Sequence, residues 1–417
     1  MPPYAKPFSF FFMKVSIINI GDELLEGKTL NTNSQWLGKK LSSAGCEIES
    51  QITVKDEENS IVSGLNYCLQ SKPEYLFVTG GLGPTNDDVT RNVLFNFMET
   101  ESEVDYEYWK VLKNRYQRIG KDISESIKSQ AVIPKIGEVI ANPKGSARGL
   151  KFVKRDTIIF VLPGVPIEMK NMFVQTILPA LIKKIESPIL SRTLRTTGIT
   201  ETVLHDFIEK RSKKNKNTIG YYPSAFGVDI KVSNKTGEEI NLFIDWMYAN
   251  FRNEIYAEHD TSIERVVVEY CIKNRRKIAV AESCTGGLIG DRITNVSGSS
   301  EIFVGGVIVY SNDSKVKILG LDEEGIDQFG AVSKDTARKM AKNVKTMFNS
   351  SFGLSVTGIA GPSGGTKEKP VGLAYIGFAS DKNTIVEKFN FGKDRERNKI
   401  KTSQAALNIL RRGLLNE

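Results

Sequence analysis

Apolar runs separated by amphipathic segments constrain this chain more than any other feature. From Val15 the run "VSIINI" precedes a segment that places Trp36, Leu37 and Leu41 on one helical face. "EIESQITV" follows, then a segment with Ile61, Val62, Leu65 and Leu69 at helical spacing, then "YLFVTGG". The order is βαβαβ. Strands that are apolar throughout, joined by helices, build a parallel sheet covered on both faces, so the fold class is α/β. Ligands on such sheets are expected beyond the carboxyl ends of the strands.

The 417 residues exceed what one core serves, and the pattern changes twice along them. "TIIFVLPGVP", Thr157–Pro166, reads as one more buried strand of the first domain. "RTLRTTGI", "ETVLHDFIEKR", "TIGYYP", "GVDIKVSN" and "EEINLFIDWMYANF" then read strand, helix, two strands and helix, a small split α/β module. From Ser262 a helix leads into "KIAVAES", with further strands at "EIFVGGVIVYS", "FGLSVTGIAG" and "GLAYIGFAS". Ser333 is positioned to cap a helix carrying Ala337, Met340, Ala341, Val344 and Phe348. The expected organisation is a disordered or artefactual extension at 1–12, with translation starting at Met13. A first domain follows at 13–170, a linker and middle module at 171–260, and a third α/β domain at 261–417.

Composition narrows the chemistry. Only His205 and His259 are present, which removes the commonest general base from most of the molecule. Cys46, Cys68, Cys271 and Cys284 show no C-x-x-C spacing, which argues against a disulfide framework or zinc site and for the cytoplasm. The opening "MPPYAKPFSFFF" is too short to span a bilayer, so no membrane association is expected. Part of the net charge of +8 lies in "EKRSKKNKN", Glu209–Asn217. That run reads as a solvated spacer or dimer arm rather than a nucleic-acid contact.

Two loops of the first domain are rich in functional residue types: "GDELLEGKTLNTN" after the first strand and "GGLGPTNDDVT" after "LFV". Gly80, Gly81 and Gly83 permit a backbone whose N–H groups face an anion, and Thr85 or Asn86 is expected to cap the next helix. Asp87 and Asp88 suit a phosphate only with a cation between them. With Asp22 and Glu23 they form a candidate site for Mg²⁺ or a similar divalent metal. The alternative is a tight turn whose acids merely complement the helix dipole. The pattern is neither a dinucleotide fingerprint nor a P-loop.

In the third domain "AESCTGG", Ala281–Gly287, lies between a strand and a helix start, where backbone N–H groups can hold an oxyanion or phosphate. Gly286 and Gly287 allow close approach of a ligand, with Ser283 and Thr285 beside it. Cys284 reads as packed inward and inert, because no histidine lies in this domain to form a thiolate. Downstream, "VSGSSEIFVGGVIVYSNDSKVK" supplies Ser299, Ser300, Tyr310 and Lys315. The heads of Tyr310 and Lys315 could converge on a hydroxyl, with burial lowering the pKa of the acceptor. Read without further support, the same residues are a loop serine pair and an exposed lysine.

Those loops resemble the CinA family. "GDELLEGKTLNTN", "VTGGLGPTNDDVT", "NPKGSARG" and "LPGVPIEM" are similar to signature loops of its first domain, and "AESCTGG", "GSSEIFVGGVIVYSNDSK" and "TGIAGPSGG" to those of its last. The resemblance runs from about Met13 to the end. It implies a molybdopterin-binding-like three-layer α/β domain, a KH-type split α/β module without the G-x-x-G loop of RNA binders, and a CinA-type α/β domain.

In activity it implies metal-dependent hydrolysis of ADP-ribose to AMP and ribose 5-phosphate by the first domain. For the last domain it implies hydrolysis of nicotinamide mononucleotide (NMN) to nicotinic acid mononucleotide and ammonia, without a cofactor. Carried over, Asp22, Asp87 and Asp88 would serve the metal, and Asn31, Asn33, Gly81, Gly83, Thr85 and Asn142 the first pocket. Ser300 would be the nucleophile, Tyr310 its activating partner and Lys315 an assistant, with Ser283 second in line. Ser283, Thr285, Gly286, Gly287 and Thr357 would hold the substrate, and Arg397 its phosphate. Arg148 stands where the family usually has proline, which would loosen that loop or add a phosphate contact. A homodimer is expected. The competing readings are a single-activity amidohydrolase with a non-catalytic nucleotide- or pterin-binding domain, and a DNA-associated competence factor acting through Arg211–Lys216.

Overall fold

The structure, a computed structural model, describes residues 13–416 except 86–87, 119, 121, 185–189, 211–216 and 235. The chain divides into two units, 1–189 and 190–417.

In the first unit, β1 (Met13–Ile20), β2 (Cys46–Val54), β3 (Tyr75–Thr79), β4 (Ser102–Val104), β5 (Val132–Pro134), β6 (Glu138–Ile140), β7 (Gly149–Lys154) and β8 (Thr157–Leu162) are the strands. Six of them form one sheet in the order β2-β1-β3-β8-β7-β6, while β4 and β5 pair separately. β2, β1, β3 and β8 run parallel; β7 and β6 complete the sheet antiparallel. Strand residues alternate between faces, and that alternation makes the three layers. Val15, Ile17 and Phe77 meet Leu37, Leu41 and Phe173 on one side. Ile18, Leu76 and Val78 meet Ile61, Leu65 and Leu94 on the other. Phe173, Ile177 and Leu181 belong to the first of these cores, so the domain continues beyond the expected boundary at 170.

In the second unit, β9 (Leu190–Thr196), β10 (Thr218–Ser224), β11 (Gly227–Asn234) and β12 (Ile255–Glu258) form an antiparallel sheet in the order β10-β11-β9-β12. The helices Glu201–Glu209 and Gly237–Phe251 close it through Leu204, Ile208, Phe243 and Met247. This is the split α/β module that the sequence pattern predicts.

β13 (Ile278–Glu282), β14 (Phe303–Ile308), β15 (Phe352–Gly358), β16 (Leu373–Ala379) and β17 (Thr384–Asn390) form the last sheet, ordered β14-β13-β15-β16-β17. β14, β13 and β15 are parallel, and β16 and β17 are added antiparallel. Ile278 and Val280 face the helices Ile263–Lys273 and Arg395–Leu415, while Ala279 and Ala281 face Met340 and Val344 of the helix Lys334–Met347. Ser333 caps that last helix by accepting from the Thr336 N–H at 3.1 Å, as its sequence position predicts. Met340 and Val344 are fully buried, and each contributes about 1.5–3 kcal/mol. Parallel β13, β14 and β15 bring three loops to one end of the sheet.

Candidate active site

The loop Ser283–Gly287 follows β13 and leads into the helix Leu288–Thr294. Its conformation is set from behind by Glu282, whose side chain is 1% exposed. The Glu282 carboxylate accepts from the N–H groups of Gly287, Ile289 and Gly290 at 3.0, 3.1 and 2.9 Å. These are the free donors of the helix start. The expectation that they hold an oxyanion or phosphate is therefore corrected: a carboxylate of the chain already occupies them. Gly286 has φ 62°, and a Cβ there would meet nothing within 4 Å, so the loop is open to a ligand at that point. Gly287 also has positive φ, but its free side is taken by Ile308.

Opposite this loop stands Lys315, buried to 1% exposure in the helix Asn312–Leu319. Its Nζ contacts Ser283 Oγ at 3.2 Å and donates to the carbonyls of Val309 at 2.9 Å, Tyr310 at 3.3 Å and Ser311 at 3.4 Å. No ion pair of Lys315 occurs among the described residues. Burial without a carboxylate lowers its pKa below the usual 10.5. A lysine with a lowered pKa within hydrogen-bond reach of a serine hydroxyl has the geometry for proton transfer without a histidine. The Thr285 hydroxyl, fully buried and without a partner, lies on the same loop.

The other expected residues separate. Ser300 is exposed in the turn Ser299–Glu301, which enters β14 at its amino end. Ser283, Tyr310 and Lys315 all follow the carboxyl ends of parallel strands. A strand of six residues, about 20 Å, therefore lies between Ser300 and that group. Ser300 is not brought to Tyr310 or Lys315; Ser283 is the serine brought to Lys315.

The Tyr310 side chain is 59% exposed, and its hydroxyl accepts from Arg395 at 2.9 Å, so its partner is a guanidinium rather than a serine. Arg395, which also donates to the Gly361 carbonyl at 2.7 Å, is a residue the sequence reading missed in favour of Arg397. Arg397 is exposed in the first turn of the same helix, its N–H bonded to Asp394. The Thr357 hydroxyl donates to the Ala331 carbonyl at 2.7 Å, which commits it to the fold. The Cys284 thiol is 7% exposed, and burial pushes its pKa up to about 12, so it stays protonated.

In the first unit the loops after β1, β3 and β8 also meet at one end of the sheet. Asn19 ties them from below, donating to Ser34 Oγ at 3.2 Å and to the Ile52 carbonyl at 3.1 Å while accepting from Thr79. Asn31 caps the helix Thr32–Ser43 by accepting from the Ser34 N–H, and Asn33 donates to the Gly164 carbonyl at 2.6 Å. The Asn33 Oδ1 is buried and unpartnered. The Asp88 carboxylate accepts from the N–H groups of Gly83 at 2.7 Å and Thr85 at 3.0 Å, and from the Thr85 hydroxyl. Asp88 thus fills the nest expected for an anion, and a Cβ on Gly83 would collide with it at 2.3 Å. Thr85 is not at the N-cap of the following helix, Thr90–Phe97, where Val89 stands, and Asn86 lies outside the described residues.

Asp56, which the sequence reading missed, faces Gly81 together with Thr90. Burial and the neighbouring Asp88 push its pKa up to about 6, with Asp22 and Glu23 acting in the same direction. Its Oδ1 and the Thr90 hydroxyl are buried and have no partner among the described residues. Among the described residues no three acidic, His or Cys side chains stand close enough to enclose a metal ion; Asp87 lies outside those residues, as does the basic run Arg211–Lys216.

Asn142 organises its own loop, accepting from the N–H groups of Lys144 and Gly145 and donating to Ala147 and Glu168. Arg148 does not loosen that loop: it pairs with Asp105 at 2.7 Å and stacks on the Tyr108 ring at 3.8 Å. Both line a cavity of about 580 Å³ with Asn142 and Asn171. No helix among the described residues is long and apolar enough to cross a membrane.

Comparisons with known proteins agree with this division. The family "Probable molybdopterin binding domain" matches residues 16–183, "Damage-inducible protein CinA KH domain" matches 191–247, and "CinA C-terminal domain" matches 260–414. A protein of Thermoanaerobacter pseudethanolicus described as "Putative competence-damage inducible protein" is 36% identical, covering 97% of this chain and 99% of that one. One of the same description from Caldicellulosiruptor bescii is 38% identical, with 97% and 100% covered. A solved competence/damage inducible protein from Agrobacterium tumefaciens is 36% identical over 37% of this chain and 94% of its own, with a TM-score of 0.36.

Proposed function

The chain belongs to the CinA family, and from that premise we propose that it is a pyridine-nucleotide hydrolase whose last domain deamidates NMN through Ser283 and Lys315. The observation that carries this reading is the 3.2 Å contact between Ser283 Oγ and a buried lysine that has no ion-pair partner among the described residues. Ser283 Oγ attacks the carboxamide carbon while Lys315 takes its proton. Lys315 then delivers that proton to the departing nitrogen, and ammonia leaves an ester on Ser283. Water attacks the ester with Lys315 again as base, and nicotinic acid mononucleotide departs as the proton returns to Ser283. Arg395 and Tyr310 at the rim suit the ribose phosphate.

For the first domain the proposal is hydrolysis of ADP-ribose to AMP and ribose 5-phosphate. Asp88, Asp22 and Glu23 all raise the Asp56 pKa, so negative charge gathers at this end of the sheet. A divalent metal there would draw on Asp22, Asp87 and Asp88, with Asp56 added, once Asp88 leaves the amides of Gly83 and Thr85. Such an ion supplies charge stabilisation at a pyrophosphate. Asn31 and Asn33 position the loop over which the nucleotide would lie. A cytoplasmic homodimer is proposed as the working form.

The test is ammonia and AMP release by the purified protein given NMN and ADP-ribose, with and without EDTA. Ammonia in both conditions and AMP only without EDTA support the two assignments. Ammonia without any AMP would leave a single-activity amidohydrolase.

A further inference from the structure

A groove of about 540 Å³ in the second unit shares no residue with the Ser283 site. One wall is the loop Thr197–Glu201 and the turn between β10 and β11, with Phe226 at its tip; the other is the end of β17 and the helix Arg395–Leu415. The volume falls in the range of small-molecule sites, and a boundary between packed modules is a common place for them.

Gln404 is the informative side chain. It is 2% exposed and lines the groove. Its Oε1 accepts from Arg292 at 2.7 Å, which fixes the amide orientation, and its Nε2 is then buried with no acceptor among the described residues. Leaving such a donor unpaired costs about 1–3 kcal/mol, so the site stands ready for an acceptor atom.

The remaining chemistry narrows the ligand. Phe389 and Phe391 present stacked rings, centroids 5.4 Å apart and planes 9° from parallel, and Phe226 is 39% exposed beneath the Arg292 guanidinium. Aromatic faces beside an amide donor suit a planar ring with an acceptor nitrogen or carbonyl. Among the charged lining residues, Glu387 and Arg412 pair with each other, which leaves Glu201 and Glu254 against Lys401. That balance is one negative charge, which disfavours a phosphate.

We propose that this groove binds an uncharged nucleoside or its free base, with the Gln404 Nε2 donating to an acceptor on the ring. The site stands apart from the deamidation reading and does not depend on it.

Calorimetric titration of the full chain with adenosine, nicotinamide and AMP tests the proposal, the first two separating a purine from a pyridine ring. One of the uncharged ligands is expected to saturate a single site, with AMP at least tenfold weaker than adenosine if the purine is the ligand. Gln404→Glu keeps the acceptor for Arg292 and replaces the donor, so affinity should fall at least tenfold with the circular-dichroism spectrum unchanged. Ala405→Trp fills the groove from a half-buried lining position and should abolish binding. Ser283→Ala should leave it unchanged, which separates this site from the proposed catalytic one. Absence of binding by both uncharged ligands, AMP binding as well as adenosine, or binding indifferent to both groove variants overturns the proposal.

Discussion

Replacing Lys315 by methionine isolates the base from the fold. Methionine matches the length of the buried stem, so packing at this 1% exposed position is largely kept. The loss is the amine and its bonds to Ser283 and to the carbonyls of Val309, Tyr310 and Ser311. Those carbonyls lose about 1 kcal/mol each, offset by relief of the desolvation that lowers the Lys315 pKa, so net stability should change by less than about 2 kcal/mol. A positioned general base contributes about 10²–10⁴-fold, or about 2.7–5.4 kcal/mol of barrier. Lys315→Met should therefore reduce kcat/KM for ammonia release from NMN by that factor while the chain stays folded.

The pH profile gives the same argument a sign. The wild-type rate should rise with pH through the depressed Lys315 pKa and level off below 10.5. Between the folded value and 10.5 the unfolded chain binds the extra proton, so stability should also rise with pH there, and Lys315→Met should flatten that slope. Undiminished turnover by a folded Lys315→Met variant, or a wild-type rate that rises only near 10.5, would refute the reasoning.

Three further outcomes are expected. Ser283→Ala should abolish ammonia release and Ser300→Ala should keep most of it, whereas Cys284→Ala should keep turnover because its thiol stays protonated; a kinetic comparison of the three checks the assignment. Glu282→Ala should cost about 3 kcal/mol or more in denaturant unfolding, because three N–H groups lose a charged acceptor at the start of the helix. Asp88→Ala should remove EDTA-sensitive AMP release from ADP-ribose and leave ammonia release intact; loss of both activities would contradict separate sites.

The layered domains were legible because their strands are apolar through both faces and their helices keep a regular stripe. The Ser333 cap and the buried face from Ala337 to Val344 follow from local rules alone. The site was legible only in part, since local spacing does not say at which end of a sheet a loop emerges. Ser300 lies close in sequence to Tyr310 and Lys315, yet β14 carries the chain from one edge to the other between them. Ser283 is distant in sequence and close in space because β13 and β14 run parallel. Asp88 reads in the sequence as a candidate metal ligand and Glu282 carries no signal there; only the folded backbone shows that each carboxylate fills the amide nest beside it. Arg395 had no distinguishing signal against Arg397, two positions along the same helix.

The most direct test of the account is ammonia release from NMN in the presence of EDTA, measured side by side for the wild type and Ser283→Ala. The account predicts EDTA-insensitive ammonia from the wild type and none from the variant. Equal ammonia from both, or none from the folded wild type, would contradict the assignment of Ser283 and Lys315 as the reacting pair.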